Sequence, residues 1–239
     1  FVWIPVGDII KEDKTTVSIE LNRYIFNDSQ NYFEKFQELN TSPYGNTTAK
    51  ENIESDDSGF RKKARESHGY YIGRYEARDK DALTQRNESS STSNQMVCTE
   101  NNYVYSHVSQ PQAALLSRNM YNDNNFNSDL VNSYAWDTAI TFLQTFGDNK
   151  QYALQTSLNT EFAPQGTNNL SDTTKQDKIC NVYDMASNSW EWSTETFNYE
   201  NLGVVRGGCY YFSSSSAYRN NHPLTTSETG HSFRPILYL

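Results

Sequence analysis

Apolar and polar residues alternate along the first 25 residues, most clearly in TTVSIEL (15–21). Successive side chains of a strand point to opposite faces of its sheet, so this alternation predicts half-buried β-structure over 1–25. The stretch HGYYIGRYEA (68–77) predicts a further strand, and Gly73 within it allows another backbone segment to approach closely. We therefore expect strands joined by loops in the N-terminal third.

Two later segments repeat apolar residues at helical spacing instead. One begins at Ser109 and carries Pro111 in its first turn, where proline is well tolerated. The other is SYAWDTAITFLQTF (133–146). The apolar faces consist of Ala113, Leu116 and Met120 in the first and of Ala135, Ala139, Phe142 and Phe146 in the second. Both patterns predict amphipathic helices that pack against a core.

Polar and turn-forming residues separate these elements. We expect exposed loops at 40–60 and 79–97 and a loop-rich stretch at 147–178, while the chain from 181 onward is aromatic, Ser-rich and strand-like. No internal repeat is visible in the sequence. The pattern predicts a single α+β domain over 1–239, with two modest helices, short antiparallel strands and much loop.

Composition and charge narrow the class of protein. Aromatic residues make up 14% of the 239 residues although hydrophobic residues reach only 36%, which indicates a folded domain with a polar surface. The net charge of −9 argues against binding to nucleic acid or to anionic membranes, and no apolar run is long enough for direct membrane insertion. The chain begins at Phe1 without an initiator Met, so we expect it to be part of a longer protein that carries any anchor or signal.

Cysteine and histidine spacing gives no motif for a metal or a disulfide framework. Cys98, Cys180 and Cys209 are odd in number and lack C-x-x-C spacing, which predicts free thiols. Neither H-x-x-x-H nor H-E-x-x-H occurs among the four histidines, which are His68, His107, His222 and His231. We expect these histidines to be packing or surface residues.

Six short motifs in a fixed order carry a family resemblance. They are WIPVG (3–7), YIGRYEA (71–77), SYAWDTA (133–139), NVYDMASNSWEWSTE (181–195), VVRGG (204–208) and SFRPILYL (232–239). Together they resemble the formylglycine-generating enzyme or sulfatase-modifying factor family, which implies a C-type-lectin-like fold of that type. Within such a fold we expect Trp190 and Trp192 in the core. We also expect Arg206 and Arg234 to pair with carboxylates or carbonyls that hold the framework, for example with Glu191 or Glu76.

The catalytic residues implied by the resemblance are missing. Enzymatic members place two cysteines at C-x-x-x-x-C spacing shortly after R-G-G, where they bind copper and activate oxygen. Counted from Arg206, those positions are Phe212 and Ala217, which can neither form a thiolate nor bind a soft metal. Cys209 occupies a position that is usually Ser in the family. We therefore predict that the chain is not an enzyme and requires no cofactor.

The resemblance also implies a structural calcium near the N-x-W-E-W turn. The matching positions are the carboxylates of Asp184 and Glu191, with backbone oxygens of Ser187 and Ser189, and such oxygen ligands suit Ca²⁺. Ser187 replaces a usual glycine, however, which changes the turn that would hold the ion.

The C-terminal stretch 206–239 begins and ends with residues of the family motifs, whereas the residues between them differ in composition. Between them lies CYYFSSSSAYRNNHPLTTSETGH (209–231), and Tyr and Ser dominate natural binding loops. This arrangement resembles the variable proteins of diversity-generating retroelements, which share the fold and diversify a C-terminal segment by mutating adenines, mostly in Asn codons. Such codons, with a pyrimidine third base, cannot become Lys, Glu, Gln, Met or Trp. Of the 23 residues, only Glu228 lies outside the reachable set.

These observations predict a non-enzymatic receptor-binding or adhesion protein. The resemblance implies display on the surface of a bacterial or archaeal cell or of a phage. A protein ligand is favoured over a glycan, since no Glu-Pro-Asn-like carbohydrate motif is present. We expect Phe212 to point into the core. The candidate ligand-binding residues are Tyr210, Tyr211, Ser213, Ser214, Tyr218, Asn220, Asn221, His222, Thr225 and Thr226.

Two other functions are compatible with the sequence. An oxygen-using enzyme of the formylglycine-generating or sulfoxide-synthase type, with relocated ligands, predicts copper or iron binding and loss of activity when Cys209 is changed. A structural assembly protein with the same fold predicts concentration-dependent oligomers and no foreign ligand.

Overall fold

The computed structural model describes residues 1–26, 33–35, 41–42, 59–80, 96–100, 103–121, 125–158, 171, 176–197 and 202–239. The helices are α1 (Phe60–Glu66), α2 (Gln110–Arg118) and α3 (Ser133–Phe146), with a 3₁₀ turn at Tyr152–Leu154. The strands are β1 (Val2–Pro5), β2 (Gly7–Ile10), β3 (Thr16–Ile19), β4 (Tyr24–Phe26), β5 (Phe33–Lys35), β6 (Thr41–Ser42), β7 (Gly69–Ile72), β8 (Arg78–Asp79), β9 (Met96–Val97), β10 (Asn127–Leu130), β11 (Lys178–Ile179), β12 (Val182–Tyr183), β13 (Trp190–Phe197), β14 (Leu202–Arg206), β15 (Arg219–Pro223), β16 (His231–Phe233) and β17 (Pro235–Tyr238). These helices and short strands confirm the predicted α+β class.

Both predicted helices are present, and each begins with a side-chain cap. Ser109 and Gln112 form a capping box at the start of α2, which satisfies backbone groups that a helix end leaves unpaired. The Asn132 side chain accepts a hydrogen bond from the Ala135 amide at 2.9 Å and so starts α3. The short helix α1 was not expected, because its seven residues span too few turns to display an apolar repeat.

The two predicted loops are described only at their ends. The stretch 40–60 contains β6 and the first residue of α1, and the stretch 79–97 contains the end of β8 and all of β9, which pair with each other as a short ladder. The rest of both predicted loops lies outside the described residues.

One antiparallel sheet joins the two ends of the chain in the order β1-β7-β17-β10. The predicted close approach at Gly73 is confirmed, because the Gly73 amide donates to the Pro235 carbonyl at 2.9 Å. A Cβ at this position would lie 2.9 Å from the Tyr75 carbonyl oxygen and 3.0 Å from Arg234 Cγ, so a larger residue would not fit. The C-terminal strand β17 is thus fixed inside this sheet, between β7 and β10.

The second sheet carries the C-terminal motifs in the order β15-β14-β13-β16, with β6 on the far end of β13. Strands β13 and β16 run parallel, which pairs Trp190 with His231 and Trp192 with Phe233. Trp190 and Trp192 are buried, at 5% and 0% exposure, as predicted. The Trp192 indole donates to the Val108 carbonyl at 2.7 Å, so its polar atom is satisfied inside the core.

Two apolar clusters make up the interior. One surrounds Trp136 of α3 and lies against the first sheet, and the other surrounds Trp192 and Phe233 below α2. The Trp136 indole donates to the Ser216 carbonyl at 2.9 Å, which anchors the chain between β14 and β15 to the first cluster. Among the described residues, no helix is both long and apolar enough to cross a membrane.

Candidate functional site

The C-terminal third consists of a buried framework and a segment raised above it. Residues 203–209 and 230–238 are buried throughout. Between them, residues 210–229, here called the display segment, are exposed or half-buried apart from Ser214, Ser216 and Leu224. The polar and aromatic interior seen in the sequence therefore forms a surface.

The path of the display segment is set by close backbone packing at its start. A Cβ on Gly208 would lie 1.9 Å from the Ala186 carbonyl oxygen, so only glycine fits there. The chain then turns sharply, with the Phe212 amide donating to the Cys209 carbonyl at 3.3 Å. It returns to the sheet as β15, which pairs with β14 along its whole length.

Aromatic rings from the display segment surround Trp190 on the framework. Ring centroids of Tyr211, Phe212, His222 and Tyr218 lie 5.4, 5.6, 5.3 and 6.5 Å from that of Trp190, respectively. These five residues are called the Trp190 cluster. The prediction that Phe212 is a core residue is wrong: its ring is 47% exposed, because residues 209–212 form a turn, where strand alternation does not apply.

Nine of the ten predicted ligand-binding residues lie on this surface, with side chains exposed or half-buried. They are Tyr210, Tyr211, Ser213, Tyr218, Asn220, Asn221, His222, Thr225 and Thr226. Ser214 is the exception, since it is 4% exposed and its hydroxyl accepts from the Trp190 indole at 3.0 Å and donates to the Gly207 carbonyl at 3.1 Å. Ser214 therefore supports Trp190 from below and is not available to a ligand.

A cavity of about 300 Å³ opens beside the Trp190 cluster, and sequence reasoning missed most of its residues. Its lining consists of His107, Tyr210, Tyr211, Ser227, Glu228, Thr229 and Gly230. His107 comes from the loop before α2, more than 100 residues away along the chain. Neither periodicity nor motif spacing reports such a long-range contact, so no feature of the sequence identified it.

A buried ion-pair network anchors β15 and so holds the display segment in place. Arg206 lies 2.6 Å from Asp137 and 3.4 Å from Glu195. Arg219 of β15 contacts the same two carboxylates, and Arg23 lies 2.7 Å from Glu195. The predicted pairing of Arg206 with carboxylates is confirmed, but its partners are Asp137 and Glu195 rather than Glu191 or Glu76. The sequence does not reveal that α3 brings a carboxylate beneath β14.

The predicted ion pair between Arg234 and Glu191 is confirmed. It engages the Glu191 carboxylate, which was expected to be a calcium ligand. Arg234 binds the Glu191 carboxylate with its Nε at 2.9 Å and its Nη2 at 2.6 Å. Asp184 is buried nearby, and burial together with Glu191 and Asp184 raises the pKa of Glu76 well above its usual range. Across the described ranges, no three His, Cys, Asp or Glu residues are arranged to hold a metal ion. Glu191 as placed does not fit a calcium ligand, and bound calcium stays a prediction.

The thiols are free and their surroundings disfavour the thiolate. Cys209 is 2% exposed, and burial raises the pKa of its thiol to about 11. Burial likewise raises the pKa of Cys98 to about 12 and that of Cys180 above its usual value. Since the thiolate is the form that attacks substrates and binds soft metals, these groups are poorly suited to either role at neutral pH.

His231 is a buried neutral histidine between the two tryptophans of β13. Its ring stacks on Trp192 with centroids 5.2 Å apart and meets His222 at 4.6 Å. Burial, followed by the nearby His222 and His107, lowers the pKa of His231 to about 3. The ring therefore packs as an uncharged aromatic group beneath the display segment.

The structure contains three helices, several small sheets of short strands and much loop, and it is consistent with the α+β, C-type-lectin-like fold of the formylglycine-generating-enzyme type that the motifs imply. Comparison with protein families agrees, since residues 110–234 match the sulfatase-modifying factor enzyme 1-like domain. The chain belongs to this family. No curated protein and no solved structure matches the sequence significantly.

Proposed function

We propose that the chain is a non-enzymatic ligand-binding module whose display segment contacts the ligand. The observation that carries the proposal is the exposure of the aromatic and polar side chains of 210–229 above a wholly buried framework. Phe212 and Ala217 stand at the positions where the resemblance implies catalytic cysteines, and Phe212 belongs to the Trp190 cluster. A binding surface thus takes the place of a metal site.

The chemistry of the surface suits a protein ligand. Tyr211 and Phe212, each 47% exposed, offer large apolar area that a partner can cover. Ser213, Asn221 and Thr225 lie at exposed positions around them and supply hydrogen-bonding groups at the rim. Because the framework underneath is packed and ion-paired, little ordering is needed on binding, which favours affinity.

We further propose that the display segment is diversified, as in the variable proteins of retroelements, and that it acts in adhesion or receptor binding on a cell or virion surface. In this proposal the framework is kept constant and the exposed residues vary. The composition of 209–231 supports it, since Glu228 alone is unreachable from Asn codons by adenine mutagenesis.

Sequencing the encoding locus tests the diversification directly. We expect a near-copy of the segment that encodes 206–239, differing mainly at adenines, beside a reverse transcriptase gene. A locus without such a copy, together with an invariant C-terminus across isolates, would refute diversification and leave an ordinary lectin-like binding protein.

The enzyme alternative rests on membership of a family that includes enzymes, and it has its own test. It predicts stoichiometric copper or iron in the purified chain and metal-dependent oxygen consumption that is lost in Cys209→Ser. We expect neither, because the Cys209 thiol is buried and its pKa is raised. The assembly alternative predicts oligomers that grow with concentration in analytical ultracentrifugation.

A further inference from the structure

The cavity beside the Trp190 cluster has aromatic walls and an acidic rim. Tyr210 and Tyr211 meet edge to face with centroids 4.9 Å apart. Gly230 lies directly under Tyr211, since a Cβ on Gly230 would lie 2.2 Å from Tyr211 Cε1. Glu228, an exposed acidic residue, completes the lining.

The acidic side of the cavity is held in a fixed position by His107. The His107 amide donates to the Glu228 carbonyl at 3.0 Å, and the Ser227 hydroxyl donates to the His107 carbonyl. Thr229 Oγ1 lies 3.3 Å from His107 Nε2, and the His231 amide donates to the Glu228 carbonyl at 3.1 Å. The cavity is therefore preformed rather than assembled on binding.

The charge in this cavity is negative and uncompensated. In the part of the chain that the structure describes, the Glu228 carboxylate makes no hydrogen bond and no ion pair. Burial and the neighbouring Cys209 raise the pKa of Tyr211 and the Glu228 charge adds to the shift, which is consistent with a carboxylate close to that ring. The whole chain carries a net charge of −9, so a positively charged partner is favoured at long range as well.

We propose that this cavity accepts a basic side chain, Lys or Arg, presented by a protein ligand. A cation over the exposed face of a tyrosine in the lining is attracted by the electron-rich ring, and Glu228 supplies a carboxylate for a charge-assisted hydrogen bond. The volume of about 300 Å³ suits one side chain and is small for a larger cofactor. The proposal rests on the proposed function and names the chemistry of its partner.

The test uses the whole ¹⁵N-labelled chain and a matched pair of probes. N-acetyl-arginine amide carries the cation, and N-acetyl-citrulline amide is its neutral isostere. We expect the arginine probe to shift the amide signals of His107, Glu228 and Gly230 with saturation, and the citrulline probe to bind at least about tenfold more weakly.

Two variants distinguish the effect of the Glu228 carboxylate on probe binding from that of the overall negative charge of the chain. Glu228→Gln keeps the backbone contacts to His107 and His231 and should weaken the arginine probe about tenfold. Glu12→Gln removes an exposed carboxylate in the turn between β2 and β3 and should leave binding unchanged. Unshifted amide signals elsewhere in the spectrum report that both variants are folded.

The proposal is overturned if the citrulline probe binds as well as the arginine probe, if Glu228→Gln binds like the parent, or if the shifts fall outside the cavity. Binding of free spermidine tenfold tighter than the capped arginine would assign the cavity to a small amine and also overturn it. None of these outcomes bears on the proposed ligand-binding function, which a library randomised at the surface positions of the display segment tests separately.

Discussion

The framework under β14 and the display segment above it both carry many polar groups, yet they use them in opposite ways. Arg206 is fully buried and forms ion pairs with Asp137 and Glu195, which are also fully buried. In the display segment, Ser213 and Asn221 lie exposed instead. The difference implies that framework residues determine stability, whereas display residues can change at little cost to folding. Each prediction below tests that separation.

The largest effect is expected from removing the central cation of the buried network. Arg206→Met leaves Asp137 and Glu195 buried with less compensation, which should lower the free energy of unfolding by about 3–5 kcal/mol. Chemical denaturation measures it. Lys14→Met, at an exposed position in the turn between β2 and β3, is the control and should change stability by less than about 0.5 kcal/mol. Similar losses in the two variants would contradict the structural role of the network.

A matched pair of phenylalanines compares core and surface directly. Phe233 is fully buried and Phe212 is 47% exposed. Phe233→Ala should cost about 3 kcal/mol or more because it opens a cavity, whereas Phe212→Ala should cost less than about 1 kcal/mol. Equal losses of unfolding free energy in chemical denaturation would indicate that Phe212 is a core residue.

Neighbouring serines provide a smaller version of the same comparison. Ser214→Ala removes the acceptor of the Trp190 indole and should cost about 1–2 kcal/mol. Ser213→Ala, at an exposed position, should change stability by less than about 0.5 kcal/mol. A larger loss of stability for Ser213→Ala than for Ser214→Ala in thermal melts would contradict the arrangement of this turn, in which Ser214 is buried and Ser213 is exposed.

Acid should destabilise the framework through His231. Its pKa is lowered from 6.5 to about 3 in the folded chain, so below pH 6.5 the unfolded state binds the proton and the folded state does not. Its contribution to stability is present above pH 6.5 and is lost progressively as the pH falls from about 6.5 to about 3.

His231→Phe removes this titration while keeping an aromatic ring beside Trp192. Buried carboxyls with raised pKa, such as Asp177 and Glu191, act in the opposite direction, so the difference between parent and variant isolates the histidine. Unfolding free energies measured from pH 7 to pH 4 should fall more steeply for the parent. Parallel curves would show that His231 does not titrate as inferred.

Local sequence patterns predicted much of the framework. They did not predict the contacts between residues that are far apart in the sequence. The bounds of α3 and the burial of Trp192 follow from periodicity and short motifs, which report on neighbours in the sequence. Arg206 and Asp137, or His107 and Glu228, meet only because separate elements pack together, and one sequence carries no record of such pairs. The inward assignment of Phe212 failed because a turn was treated as a strand.

A library of variants tests whether the display segment is a binding surface that can change independently of the framework beneath it. The nine surface positions found among the predicted residues would be randomised together on the full chain, and the clones sorted for protease resistance and for binding to lysozyme as an arbitrary protein ligand. We expect most clones to stay folded and binders to emerge. A library that largely unfolds, or that yields no binder while remaining folded, would contradict it.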